Sequence, residues 1–495
     1  MNFTTGGLVR GWAKVQPQAA AVVDGYTARQ LSYKDLDRLS EQVAWSLYAR
    51  GIRMGNVVGY LMSSSLDIVV LLIAIGKIGA AWTPLNPHSH PEDWVRQWTH
   101  AGAVAVICDE GSKVGEMSMG NILAISWAEL SDPAGPGDRF PSPVPASGRA
   151  GILYTSGTTG EAKGAWHTHR TLWGWHHSLL ATVGITRHDR VINPYPLYHM
   201  GGVGFTLATL QAGATVILDT PFEARHLAES IIWHQATVAF LVPTMTEALL
   251  DLPPLVRSEL GGPWLRQLVA TSAPLLSETH QEIEAAWPQL RISVLYSATE
   301  AIFSMLRPED RPSAPICVGR PVFGSSLAIL DERHQPCGID TPGTVYVRGL
   351  SVFSGYHRSD DQFLAWHDDW FTCFDVGYRD ENGYLYLVDR AKDLINSGGE
   401  KISSVEIENV LRSHTLIKEV AVVGLPDPYW GERVHAVVVP KDPALTAEEV
   451  RIYARGHLPA YKVPKTVVFQ DYLPKTDTGK ILKRELRLGA PSSEG

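Results

Sequence analysis

The chain has 495 residues, 45% of them hydrophobic and 19% charged, with a net charge of −9. That length exceeds one simple core, so a soluble globular protein of two or more domains is expected. The acidic balance, with no block of Lys and Arg, excludes a nucleic-acid footprint, and an anionic ligand must be held by local groups.

The first six residues carry neither a basic start nor an apolar run, and the apolar stretch 68–75 is too short to span a bilayer. Four scattered cysteines, Cys108, Cys317, Cys337 and Cys373, show no Cys-x-x-Cys spacing. No signal peptide, stable membrane insertion, disulfide framework or structural zinc site is therefore expected, and the cytoplasm is the expected compartment.

In chain order, residues 33–50 have amphipathic helical spacing, 57–61 form a strand-length apolar run, 66–79 are helical again and 104–107 suit a buried strand. Residues 151–154 are apolar, 155–164 are rich in Gly, Ser and Thr, and a helical pattern follows from Thr171. This reads as strand, loop, helix. The runs 191–194, 215–218, 238–242, 265–270 and 292–295 continue the alternation, which predicts α/β architecture with substantial parallel sheet. No repeat of solenoid length interrupts it.

After about residue 325 the pattern becomes β-rich, with strand-like runs at 327–330, 344–347 and 383–388. Beyond Lys392 a small α+β pattern begins. Ser403-Ser404-Val405-Glu406 reads as a capping box opening a helix through Leu411, and 420–423 and 434–439 read as strands. The expected division is a large domain at 1–391 and a small one at 392–495.

The loop after Tyr154 runs Thr155-Ser156-Gly157-Thr158-Thr159-Gly160-Glu161-Ala162-Lys163-Gly164. Glycines let backbone approach an anion, N–H groups and hydroxyls donate, and Lys163 adds positive charge. It lacks the Gly-Lys-Ser/Thr ending of a Walker loop, so alone it is either another nucleotide loop or a surface turn.

Three further segments bear on that choice. In Tyr296-Ser297-Ala298-Thr299-Glu300 an aromatic, hydroxyls and one acid follow a buried strand; the Tyr can stack on a base and the Glu can hold Mg²⁺. Asp375 lies among aromatics and suits a ribose diol, because a carboxylate accepts from two hydroxyls. Lys480 follows a Gly turn near the chain end. Singly, Glu300 reads rather as a solvated turn residue and Lys480 as a surface residue.

Taken together and in order, these segments resemble the acyl-adenylate-forming superfamily of acyl-CoA synthetases, nonribosomal adenylation domains and luciferases. The resemblance also runs through Pro196-Leu197-Tyr198-His199, Val242-Pro243-Thr244-Met245, Gly319-Arg320-Pro321, Asp389-Arg390, Ser397-Gly398-Gly399-Glu400-Lys401 and Pro426-Asp427 with Gly431-Glu432.

The resemblance implies a large N-terminal domain of αβ-layered sheets with a β-rich subdomain, and a small mobile α+β C-terminal domain. It implies ATP-dependent activation of a carboxylic acid to an acyl-AMP with release of pyrophosphate, then acyl transfer, most often to CoA. Residue by residue, Thr155, Ser156, Gly157, Thr158, Thr159, Gly160 and Lys163 would cradle the β- and γ-phosphates. Tyr296 and the neighbouring Ser297 would flank the adenine, with Ser272, Ala273 and Pro274 on the other side. Thr299 would contact the α-phosphate and Glu300 the Mg²⁺. Asp375 and Arg390 would hold the ribose, Lys480 would bridge the acid and the α-phosphate, and Lys392 would be the hinge beside the nucleotide. His199 would border the acyl pocket; its alternative is a packed histidine against Tyr198. His167 and His169, just after the loop, stay outside the catalytic set.

The chain departs from the family pattern at Ala162, commonly Pro, at Cys373-Phe374 before Asp375, usually Thr-Gly, and at Ser297-Ala298. Phe374 puts the ribose pocket in question. Fifteen tryptophans, three of them (Trp166, Trp173, Trp175) near the loop, lean toward an aromatic or bulky apolar acid, though most suit a core. An amine or a carrier-protein thiol remains an alternative acceptor to CoA, a homodimer is compatible with the sequence, and a non-catalytic nucleotide sensor is the reading from a different class.

Overall fold

The computed structural model describes residues 4–63, 65–112, 114, 117, 119–131, 140, 143–155, 163–310, 312, 316–358, 364–475 and 481–488. Unbroken apolar runs become central parallel strands, because such strands are covered on both faces. Thr215–Leu218 and Val238–Leu241 are buried along their whole length. They belong to a parallel series ordered Arg291–Ser297, Gln267–Thr271, Val238–Leu241, Arg190–Asn193, Thr215–Leu218 and Ala20–Asp24. Gln30–Ser32 closes that edge antiparallel.

A second, six-stranded sheet runs Leu123–Ser126, Ala103–Cys108, Val57–Leu61, Ala81–Pro84, Arg149–Thr155 and Lys163–Thr168. Every neighbouring pair in it is parallel except the last. The helix Leu66–Ile78 is buried at every position but Asp67, as a helix apolar on all sides must be. Gly79 ends it in the left-handed region at φ 75°, a conformation that glycine adopts freely. Lys77 in its last turn is buried as well, paired with Asp37 at 2.7 Å and Glu41 at 2.9 Å.

The first series continues antiparallel through Ile302–Leu306 and Cys317–Pro321 into a β-rich portion built from Leu385–Arg390, Asp375–Arg379, Gly343–Gly349 and Ser325–Leu330. Residues beyond 394 make their own sheet, ordered Glu400–Ile402, Ile395–Ser397, Gly431–Pro440 and Ile417–Asp427, with Thr466–Phe469 parallel to Gly431–Pro440. Two hydrophobic clusters here draw only on residues 395–486. The fold class is the one the sequence implied: mixed α/β, a β-rich portion, and a small α+β unit. No helix among the described residues is long and apolar enough to cross a membrane.

Two local expectations need correction. The Gly/Ser/Thr loop does not lead from a strand straight into a helix. It joins an antiparallel hairpin, Arg149–Thr155 with Lys163–Thr168, in which Thr155 faces Lys163, and the helix His169–Val183 starts only afterwards. The second strand is held on its other side by backbone bonds to residues 354–357, a non-local partner that no local pattern reveals.

The capping box at Ser403 is half formed. Ser403 Oγ accepts from Glu406 N–H as expected, but the Glu406 carboxylate is bonded to Lys462 Nζ at 2.6 and 2.7 Å instead of reaching back. An ammonium on a distant turn outcompetes a neutral N–H for that carboxylate.

Candidate nucleotide site

The site lies where ligands bind open α/β sheets, at the carboxyl ends of parallel strands. His199 follows the strand Arg190–Asn193, Ser272-Ala273-Pro274 follow Gln267–Thr271, and Tyr296 to Glu300 end Arg291–Ser297. The last two strands are neighbours, with Thr271 opposite Leu295, and Thr271 Oγ1 lies 3.4 Å from Ser297 Oγ. Ser272, Ala273 and Pro274 are exposed, and Ser272 takes φ 71° to turn the chain away from its strand. The segments 272–274 and 296–300 therefore lie side by side, with one strand between them and the strand before His199.

One cluster joins three of the expected residues. Asp375 and Arg390 face each other across antiparallel strands, with Arg390 Nε 3.3 Å from Asp375 Oδ1. The Tyr296 hydroxyl donates to Asp375 Oδ2 at 2.5 Å. Burial and the adjoining Asp375 raise the Tyr296 phenol, which stays protonated and donates. A carboxylate offers about four acceptor sites, so Asp375 keeps capacity for a vicinal diol while Tyr296 and Arg390 fix its orientation. The Tyr296 ring stacks on Phe303, centroids 4.5 Å apart.

Phe374, the residue that broke the family pattern, takes φ 63°. Its N–H donates to Thr372 Oγ1 and its carbonyl accepts from Ala391 N–H, both at 2.9 Å. The backbone beside Asp375 thus holds a shape suited to glycine, with a side chain for which it costs about 1–2 kcal/mol.

A second cluster surrounds Glu300. This acid is 6% exposed, and burial raises its pKa while a bond from Tyr356 opposes the rise. The Tyr356 hydroxyl donates to Glu300 Oε1 at 2.8 Å, and Phe353 N–H donates to the Glu300 carbonyl at 2.7 Å. Lys163 holds its ammonium 5.5 Å from the Tyr356 ring centroid, within the range of a cation–π contact. Arg390 and Asp375 are close enough to act on Glu300 electrostatically, so the two clusters share one site.

Among the described residues Glu300 makes no salt bridge. A buried carboxylate held by neutral donors is well suited to a cation ligand, and the residues present fit a Mg²⁺ ion that would bind there. Tyr356 and Phe353 were not anticipated; the flanking Ser354-Gly355-Tyr356-His357 reads as an ordinary turn.

His199 stands at the N-cap position of the helix Met200–Ala212 without a side-chain capping bond, its ring 4.8 Å from the Tyr198 ring. That ring contact is the one the alternative reading, a histidine packed against Tyr198, describes, while its place after a parallel strand puts it on the site's side of the sheet. Thr155 ends its strand with Oγ1 3.5 Å from the Lys163 carbonyl. Lys392 is exposed, between Arg390 and the buried Asp393, which accepts from Arg487 Nη2 at 2.7 Å. Ser156, Gly157, Thr158, Thr159, Gly160 and Lys480 lie outside the described residues.

Of the two histidines set aside, His169 is a packed residue: its Nδ1 accepts from Thr5 N–H at 3.2 Å. His167 reaches the site's own backbone, with Nε2 3.0 Å from the Thr299 carbonyl.

A fold of this kind, with an oriented carboxylate beside a buried acid at the strand ends, fits a nucleotide-binding enzyme of the adenylating class. Family comparison gives the same answer. Residues 9–357 match the AMP-binding enzyme family, and residues 406–480 match the AMP-binding enzyme C-terminal domain. The chain belongs to the AMP-binding enzyme family.

It is 33% identical over 486 residues to a feruloyl-CoA synthase of an Amycolatopsis species, covering 96% of each chain. Among solved structures it superposes on ATP-bound MatB from Rhodopseudomonas palustris with a TM-score of 0.90 and 28% identity, covering 99% of each chain. It also superposes on o-succinylbenzoate CoA synthetase (MenE) from Bacillus subtilis in complex with ATP and magnesium ion. There the TM-score is 0.89 and the identity 26%, covering 97% of this chain and 98% of that one.

Proposed function

We propose that this protein is an AMP-forming acid–thiol ligase. It activates a carboxylic acid with ATP, releasing pyrophosphate to form an acyl-AMP, and then passes the acyl group to CoA. The observation that carries this reading is the Tyr296–Asp375–Arg390 cluster beside the buried Glu300, in a chain whose relatives include a feruloyl-CoA synthase and an ATP- and magnesium-bound CoA synthetase.

The residues divide the work by charge. Asp375, oriented by Tyr296 and Arg390, accepts from the ribose hydroxyls. Tyr296, Ser297 and the segment Ser272-Ala273-Pro274 border the base. Thr155 to Gly160 with Lys163 hold the β- and γ-phosphates, and Thr299 meets the α-phosphate. Glu300 is the ligand for Mg²⁺, which when bound supplies positive charge against the polyphosphate. His199 borders the acid.

Attack of a carboxylate on the α-phosphorus concentrates negative charge, so catalysis is positioning plus charge stabilisation. Lys480 supplies that stabilisation from the C-terminal side, in a domain at 392–495 that turns about Lys392 relative to the domain at 1–391. The acid is aromatic or bulky and apolar, and a cytoplasmic setting supplies both ATP and CoA.

The test is an incubation of protein, ATP and Mg²⁺ with a panel of aromatic and aliphatic acids, with CoA or amines added separately, and products identified by mass. Acyl-CoA from an aryl or arylalkyl acid is expected; an amide as the sole product would move the protein to the acid–amine ligases. Lys480→Ala in the same assay removes one preorganised stabiliser, worth about 3–4 kcal/mol. Near-normal acid-dependent exchange of pyrophosphate into ATP by that variant would overturn the reading.

A further inference from the structure

His167 is fully buried on the strand Lys163–Thr168 that leaves the phosphate loop. Its Nε2 lies 3.0 Å from the Thr299 carbonyl. A carbonyl only accepts, so Nε2 carries the proton and donates. Burial depresses the imidazole pKa to about 4, so the ring is neutral near pH 7 and this tautomer is fixed.

The other ring nitrogen, Nδ1, is buried with no hydrogen-bond partner among the described residues. An imidazole here therefore costs more to bury than a leucine would, and the single bond to Thr299 is what it provides in return.

The strand reaches its neighbours in a second way. Side chains at alternate positions share a face, so Lys163, Ala165 and His167 point together. Lys163 lies over the Tyr356 ring, Ala165 pairs with Tyr356, and Tyr356 bonds Glu300. The strand beginning at the phosphate loop thus grips both residues of the Thr299-Glu300 step, Thr299 through His167 and Glu300 through Tyr356.

We propose that His167 is a positioning residue for adenylation, its Nε2–H fixing the Thr299 backbone so that the Thr299 side chain meets the α-phosphate. The inference rests on the role given to Thr299 under the proposed function. Loss of the donor leaves a buried carbonyl unsatisfied and frees the segment to drift, and small misplacements at a reacting centre are costly in rate.

The experiment compares His167→Leu, His167→Gln and His167→Asn, alone and with Thr299→Ala, in ATP–pyrophosphate exchange driven by the best acid of the panel, with ATP binding and thermal midpoint measured alongside. Gln places an N–H near the Nε2 position, whereas Asn can reproduce only Nδ1. His167→Leu and His167→Asn are expected to lower kcat by about 10- to 100-fold, with KM for the acid within about twofold. His167→Gln stays within about threefold of the parent. In the Thr299→Ala background His167→Leu adds less than about threefold, because coupled residues are not additive.

Equal losses for Gln and Leu, or a full multiplicative loss in the Thr299→Ala background, would show a packing role and overturn the inference while leaving Thr299's role standing. Unimpaired exchange by Thr299→Ala alone would overturn the underlying reading and this inference with it. Should the Leu variant not fold, the Gln-against-Asn contrast decides.

Discussion

The Tyr356 hydroxyl donates to Glu300 Oε1 at 2.8 Å, and the same ring lies 5.5 Å beneath the Lys163 ammonium. One tyrosine therefore orients the acid assigned to the metal and faces the lysine assigned to the phosphates. Tyr356→Phe keeps the ring and deletes the donor, which for a buried carboxylate costs about 1–3 kcal/mol. The Mg²⁺ concentration giving half-maximal pyrophosphate exchange should rise about fivefold or more, with a lower denaturation midpoint. An unchanged Mg²⁺ requirement would separate Tyr356 from the metal site.

Asp375 is the acceptor common to Tyr296 and Arg390. Asp375→Asn preserves shape but replaces one carboxylate oxygen by an NH₂ group, which cannot accept and which faces a donor on either side. ATP affinity, measured by calorimetry without acid, should weaken about 10- to 100-fold, in line with about 1.5–3 kcal/mol for a hydrogen bond to a charged group. Retention of parental affinity would move ribose recognition elsewhere.

Phe374 at φ 63° can be read by a pair of substitutions. Phe374→Ala removes the ring and keeps the left-handed strain, whereas Phe374→Gly removes both. The Gly variant should be the more stable of the two by about 1 kcal/mol, the reverse of the usual order, because left-handed backbone penalises a Cβ. Urea denaturation of both proteins measures it, and Ala matching or exceeding Gly would mean that the strain is not present in solution.

Besides His167, two further buried histidines make stability depend on pH. Burial lowers His169 to about 4 and His176 to about 3, from 6.5. His169 Nδ1 faces Thr5, and His176 Nδ1 faces Gln211 Oε1 at 3.1 Å. A depressed folded pKa means that the unfolded chain binds more protons between the two values, so stability is full above about pH 6.5 and falls as pH drops toward 4. Each group contributes on the order of 3 kcal/mol over that window. The denaturation midpoint should fall between pH 7 and 5, and His176→Gln should flatten the slope. A slope untouched by the substitution would place the effect in other groups.

Legibility in the sequence followed the locality of each interaction. The strands Val57–Leu61 and Thr215–Leu218 coincide with the apolar runs that announced them, because central parallel strands need no partner-specific signal. Asp375, Tyr296 and Glu300 are named by motif resemblance alone; the fold bonds the first two to each other and sets Glu300 in the neighbouring cluster. The strand Lys163–Thr168 was missed: Lys163-Gly164-Ala165-Trp166-His167-Thr168 is half polar and owes its extension to Tyr154 on one side and Tyr356 on the other. Glu406 was half misread for the same reason, its partner Lys462 lying far along the chain. His167 stays outside the expected set: its bond goes to a backbone carbonyl at position 299, which no side-chain motif encodes.

The hydrophobic clusters beyond residue 394 take every side chain from residues 395–486. A cut made just before Ile395 therefore severs no apolar contact within either of them. What ties this portion to the residues before it is polar instead: Ser403 and Ser404 bond Val388 and Asp389, Lys401 pairs with Glu332, and Arg487 bonds Asp393.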